Sequence, residues 1–130
     1  MVNPKTGSQI AFTSGRSGVP QIYLMDLDGA NVRKLSGGEG DAVQASWDPQ
    51  GEQIAFSWTR GFEPGNYNIF VMNVATQKLV QLTHGAGRNE HPVFAPSGTH
   101  IVFDSNRSGG TQIWAMRADG GQPRRLTTQG

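Results

Sequence analysis

Residues 10–29 read IAFTSGRSGVPQIYLMDLDG, and the same text returns as IAFSWTRGFEPGNYNIFVMNVATQ over 54–77 and IVFDSNRSGGTQIWAMRADG over 101–120. The copies agree in spacing. Ile10 to Ile22 and Ile101 to Ile113 are both 12 residues, while Ile54 to Ile69 is 15, a three-residue insertion. From there, Ile22–Leu35, Ile69–Leu82 and Ile113–Leu126 are each 13, and Leu35–Gly51 and Leu82–Gly98 are each 16. A period of 44 residues, stretched to 47 in the middle copy, therefore organises the chain. Periods of this size mark architectures in which a unit buries its apolar faces only by stacking on its neighbours.

Each copy reads as four short strands. The first covers Val43–Trp47 and, one copy later, Glu90–Phe94; a DPQG or APSG turn leads to the second, IAF or IVF. A glycine-rich loop leads to the third (IYLM, IFVM, IWAM), and Asp28-Gly29 or Asp119-Gly120 turns the chain into the fourth (VRKL, LVQL, PRRL). Asp-Gly between apolar runs predicts a tight hairpin, because both central residues tolerate positive φ. The second and third strands are apolar on consecutive residues, so both of their faces are expected to be buried. The fourth alternates around Arg33 and Lys34 and is expected to be half exposed. Sheets buried on both faces inside, wetted at the outer edge and repeated at a fixed period are the blades of a β-propeller.

The expected fold is thus all-β, a propeller segment of three four-stranded blades over about residues 1–42, 43–89 and 90–130. Val2 aligns with Trp47, so the first blade lacks most of its inner strand, and the missing positions are those of residues 40 to 45. The unit amounts to half of a six-bladed ring. Trp47 and Phe94 align with one another before a proline-containing turn and are expected in the core.

Composition narrows the function. Glycine is 18 of 130 residues and charged residues only 16%, which favours turns over long helices. No stretch of 18 apolar residues exists, which excludes a membrane-spanning helix. The formal charge is +1 with acids and bases interleaved, so no basic footprint for nucleic acid is present. The absence of cysteine removes disulfides, thiolate catalysis and Cys-zinc sites together. Met1-Val2-Asn3-Pro4 lacks the charged and apolar parts of a secretory leader.

The residues Ile10, Phe12, Ser14, Arg16, Gly18, Ile22, Met25, Asp28, Gly29, Leu35 and Ser36, followed by Trp47, Pro49 and Gly51, resemble the TolB-type propeller repeat. The third copy keeps Ile101, Phe103, Ser105, Arg107, Gly109, Ile113, Met116, Asp119, Gly120, Leu126 and Thr127. The second departs, with Trp58 in place of the serine and Ala75-Thr76 in place of Asp-Gly. The resemblance implies a six-bladed ring, protein interaction, and a periplasmic or extracellular setting. Similar repeats also occur in propellers attached to prolyl oligopeptidase-like serine peptidases.

No catalytic constellation is evident: there is no G-x-S-x-G elbow, and Ser105, His100 and Asp104 have no spacing that makes a triad. No metal or cofactor site is expected. Asp26-Leu27-Asp28-Gly29-Ala30-Asn31 resembles the start of a calcium loop, but its glycine falls at the fourth place rather than the sixth. His84, His91 and His100 are isolated. Arg16, Arg60 and Arg107 recur in the same loop of every copy, and repetition points to a structural duty each blade shares. Recognition is expected from what does not repeat: Trp58, Phe62 and Tyr67 around the stretched loop, with Arg88, Glu90 and His91 between the second and third copies.

The reading that follows is a non-enzymatic interaction scaffold that self-associates, two chains closing a ring of 3+3 blades, with a protein or peptide partner on its loop face. The alternatives are an accessory propeller of a serine peptidase, and a truncated or engineered unit whose only activity is self-assembly.

Overall fold

A computed structural model describes residues 1–16, 18–37, 40–61, 63, 65–85 and 87–127. Eleven strands are found among them. Blade one contains β1 (Gln9–Ser14), β2 (Gln21–Asp26) and β3 (Arg33–Lys34). Blade two contains β4 (Ala42–Trp47), β5 (Gln53–Trp58), β6 (Asn68–Asn73) and β7 (Leu79–Gln81). Blade three contains β8 (Asn89–Phe94), β9 (His100–Ser105), β10 (Gln112–Arg117) and β11 (Arg124–Arg125). Within each blade, strands adjacent in sequence pair antiparallel. The inner strand of blade one is reduced to a stub, in which Val2 bridges Ile10 and the Ala11 N–H donates to the Met1 carbonyl at 2.9 Å.

Alternation along each strand decides which gap a side chain fills. Ala11, Ile22 and Leu24 of blade one pack with Trp47, Ile54, Phe56, Trp58, Phe70 and Met72 of blade two. The opposite face of blade two sends Ala55, Ile69, Val71 and Leu82 against Phe94, Ile101, Phe103 and Met116 of blade three. Trp47 and Phe94 are both buried, and the Trp47 indole N–H donates to the Met1 carbonyl at 2.8 Å, tying blade two to the stub.

Two local features differ from the sequence expectation. At the Asp28-Gly29 turn, positive φ falls on Gly29 (88°) and Asn31 (56°) but not on Asp28. Asp28 instead accepts the Ala30 N–H on its carboxylate at 2.9 Å, so the turn is longer than a two-residue hairpin. Both inner strands also carry a bulge. Pairing slips between Val43 and Ser46 and between Glu90 and Val93, where Gln44 and His91 adopt φ of 63° and 56°. A bulge bends the strand and re-aims its side chains.

Candidate functional site

The loops joining second to third strands and the loops between blades meet on one face. A polar relay repeated in every blade builds that face. Where β2 begins, the Ile22 N–H donates to Ser36 Oγ at 2.8 Å, and this hydroxyl donates to Gln21 Oε1 at 2.5 Å. In blade two the Ile69 N–H, Thr83 Oγ1 and Asn68 Oδ1 repeat the arrangement, both steps at 2.8 Å. In blade three Ile113, Thr127 and Gln112 repeat it at 2.9 and 2.5 Å. This explains why a hydroxyl residue follows the leucine in all three copies: it accepts a backbone donor and passes the bond to an amide. Sequence reasoning missed the amide, although Gln21, Asn68 and Gln112 align.

The recurring arginines act within their own blades. Arg16 lies 5.0 Å from the Tyr23 ring centre and Arg107 lies 4.7 Å from that of Trp114; their Nε atoms donate to Ser14 and Ser105 Oγ at 3.0 and 3.1 Å. Arg60 has tryptophan where the others have serine, and it stacks 5.1 Å over Trp58. Stacked guanidiniums of this kind cover aromatic faces that would otherwise meet water. Arg107 goes further: its Nη2 donates to Asn89 Oδ1 at 2.7 Å, and burial lowers its pKa from the usual arginine value.

The residues expected to recognise a partner separate into three groups. Trp58 does not belong to the loop surface. It is 1% exposed and its ring lies edge-on to Phe70 at 5.2 Å, in the gap between blades one and two. The signal was present in the sequence, since Ile54, Phe56 and Trp58 are two residues apart and share a strand face. Phe62 lies outside the described residues. Tyr67, Arg88 and Glu90 gather at the mouth of the gap between blades two and three. Arg88 Nε donates to Glu90 Oε2 at 3.0 Å. The Tyr67 phenol is pushed up from its ordinary value by burial, then by the Asp41 and Glu90 carboxylates, with Arg88 opposing. His91 sits on the bulge of β8 rather than on a loop. Its Nδ1 lies 2.6 Å from Asp104 Oδ2 and its Nε2 lies 3.0 Å from Gln44 Nε2, so it bridges blades two and three.

Ser105, His100 and Asp104 are not brought together. Ser105 and His100 occupy opposite ends of β9, about 17 Å apart at the usual rise of an extended strand. Asp104 faces His91. Among the described residues no three His, Cys, Asp or Glu side chains form a metal-holding group, and no helix is long and apolar enough to cross a membrane.

Residues 39–130 match the family model for the TolB beta propeller domain. The chain is similar to the "Protein TolB homolog" of Chlorobaculum tepidum, with 42% identity over 125 residues, covering 95% of this chain and 28% of that protein. Its structure is similar to that of a putative TolB from Agrobacterium tumefaciens, with TM-score 0.89 and 29% identity, covering 98% of this chain and 45% of the other. A puromycin-hydrolyzing peptidase of Mycobacterium tuberculosis shares the fold alone, at TM-score 0.71 and 17% identity. The chain spans about a third of the length of the curated relatives it matches, between 28% and 36% for two of them.

Proposed function

The chain belongs to the TolB β-propeller domain family, and from that premise we propose that it is a non-enzymatic interaction scaffold that two copies complete as a ring of six blades. Recognition falls on the loop face around Tyr67, Arg88 and Glu90, with His91 beside them on the inner strand. A periplasmic setting is part of the same proposal and rests on family membership.

One observation carries the ring. The two outer sheet faces repeat the two faces that blade two buries. Ile10, Phe12, Tyr23 and Met25 of blade one stand where blade two has Ile54, Phe56, Phe70 and Met72. Val102, Ile113 and Ala115 of blade three stand where blade two has Ala55, Ile69 and Val71. A contact of blade three against blade one of a second copy therefore reuses the pairing of large against small side chains already present at both internal junctions. Val2, Ile113 and Leu126, 45%, 40% and 50% exposed, would be covered by it. A two-fold repeats the contact and leaves no free face.

Ultracentrifugation at micromolar concentration should give twice the 14.0 kDa chain mass. Ile113→Arg should return the single-chain mass without unfolding the protein. A folded wild-type monomer overturns the ring. For the loop face, alanine at Tyr67, Arg88 and His91 together should abolish binding of a protein partner while the mass in the centrifuge is unchanged. Retained binding removes these residues from the recognition surface.

A further inference from the structure

The amide position that closes each polar relay is not filled alike. In blade one Gln21 is long enough for its Nε2 to cross to the next inter-blade loop and donate to the Gly40 carbonyl at 2.9 Å. Gly87 is the matching glycine one blade on. Both have positive φ, and a Cβ on either would press on the loop that follows the second strand of the next blade. Blade two has Asn68 where blade one has Gln21, one methylene shorter. The Gly87 carbonyl is instead reached by Asn89 Nδ2 at 3.2 Å, and Asn89 stands where the preceding blade has Ala42. Asn68 keeps its acceptor side busy, with Thr83, Gly85 and Asn89 all donating to Oδ1. Its Nδ2 is buried and has no acceptor among the described residues.

The space left at this junction is a cavity of about 480 Å³ lined by Asn66, Asn68, Gly85, Gly87, Arg88 and Asn106. It opens on the face that carries Tyr67 and Glu90. Its lining is rich in N–H donors: three carboxamides and a guanidinium, with Glu90 engaging the Nε of that guanidinium from outside the lining. No carboxylate lines it among the described residues. A buried donor without a partner carries a standing penalty that an incoming acceptor relieves. The three donors on Asn68 Oδ1 fix the plane of this amide.

We propose that this cavity is a carboxylate-binding site, in which Asn68 Nδ2 and the Arg88 guanidinium donate to the two oxygens of an acidic group. It deepens the reading of the loop face as the recognition face: the partner would present a carboxylate here. Between blades one and two the matching amide is engaged, since Gln21 spends its Nε2 on the Gly40 carbonyl.

The probes are N-acetylglycine, which offers a chain-terminal carboxylate, and N-acetylaspartic acid α-amide, which offers a side-chain carboxylate. N-acetylglycinamide is the neutral control. In ¹⁵N-labelled protein, at least one carboxylate probe should move the Asn68 side-chain amide resonances saturably, with about tenfold or greater preference over the control, as expected for a charge-assisted hydrogen bond. The probe that binds more tightly identifies the source. Asn68→Gln combined with Asn89→Ala rebuilds the Gln21 and Ala42 pair of blade one. That variant should keep its fold by amide dispersion and lose the binding about tenfold or more. No shift with either carboxylate, equal shifts with the neutral control, or unchanged binding in the folded double variant each overturns the site. Ring mass tests the scaffold without touching this site, and the Asn68→Gln, Asn89→Ala variant leaves Tyr67, Arg88 and His91 in place, so its partner binding can be read apart from its carboxylate binding. A lost carboxylate site with partner binding intact therefore leaves the broader reading standing.

Discussion

In blade two Ile69 is completely buried, whereas the matching Ile113 of blade three is 40% exposed. Every residue of β6 from Asn68 to Met72 is buried; in β10, Gln112, Ala115 and Met116 are buried while Ile113 and Arg117 are exposed. The lettering of the two strands, IFVM and IWAM, is nearly the same. A neighbouring sheet covers both faces of β6, and the outer face of β10 has none beside it. Blade one covers part of its own outer face: Tyr23 is buried under the Phe12 ring and the Arg16 guanidinium, while Ile10, Phe12 and Met25 stay half-buried.

The largest effect that tests this contrast is a pair of phenylalanines at one repeat position. Phe56→Ala in blade two should destabilise the chain by about 3–5 kcal/mol, the usual range for deleting a buried ring. Phe12→Ala should cost about 1–2 kcal/mol in dilute solution, because its ring lies on the open face and loses less buried area. Urea unfolding at increasing protein concentration sharpens the comparison. If a second copy covers blade one, the cost of Phe12→Ala climbs toward that of Phe56→Ala. Equal costs at every concentration would break the distinction between middle and outer blades.

A smaller effect concerns the relay hydroxyls. Thr83→Val strands a buried Ile69 N–H and should cost about 1–3 kcal/mol. Thr127→Val should cost less, since the Ile113 N–H bond is exposed and water can replace the hydroxyl. Amide exchange should accelerate far more at Ile69 in the first variant than it changes at Ile113 in the second. Matching losses would mean that the outer blade is as dry as the middle one.

Much of the architecture was legible because repetition supplies its own control. The matched spacings placed the strands, and the alignment of Trp47 with Phe94 placed two core residues, since both precede the same turn. Trp58 has the chemistry of a loop aromatic, but its strand position two residues beyond Phe56 sends it into the core. The bulges at Gln44 and His91 carry no glycine, so nothing in the letters announced positive φ there. The Asn68 cavity lies between these extremes. The shorter side chain is visible by aligning Gln21 with Asn68, but the vacancy depends on where the inter-blade carbonyl sits, which only three dimensions supply.

The relay of backbone N–H, hydroxyl and amide oxygen closes within a single blade, while the apolar contacts stay open to either side. Such a unit behaves like a bead that satisfies the leading donor of its third strand from within and whose greasy ends are adhesive. Copying it in tandem does not orphan that donor; the amide end of the relay is what differs from seam to seam, with Gln21 crossing to Gly40 and Asn68 Nδ2 left open. Growth by duplication is then limited by ring geometry rather than by polar chemistry, and propellers of different blade number can share one repeat text.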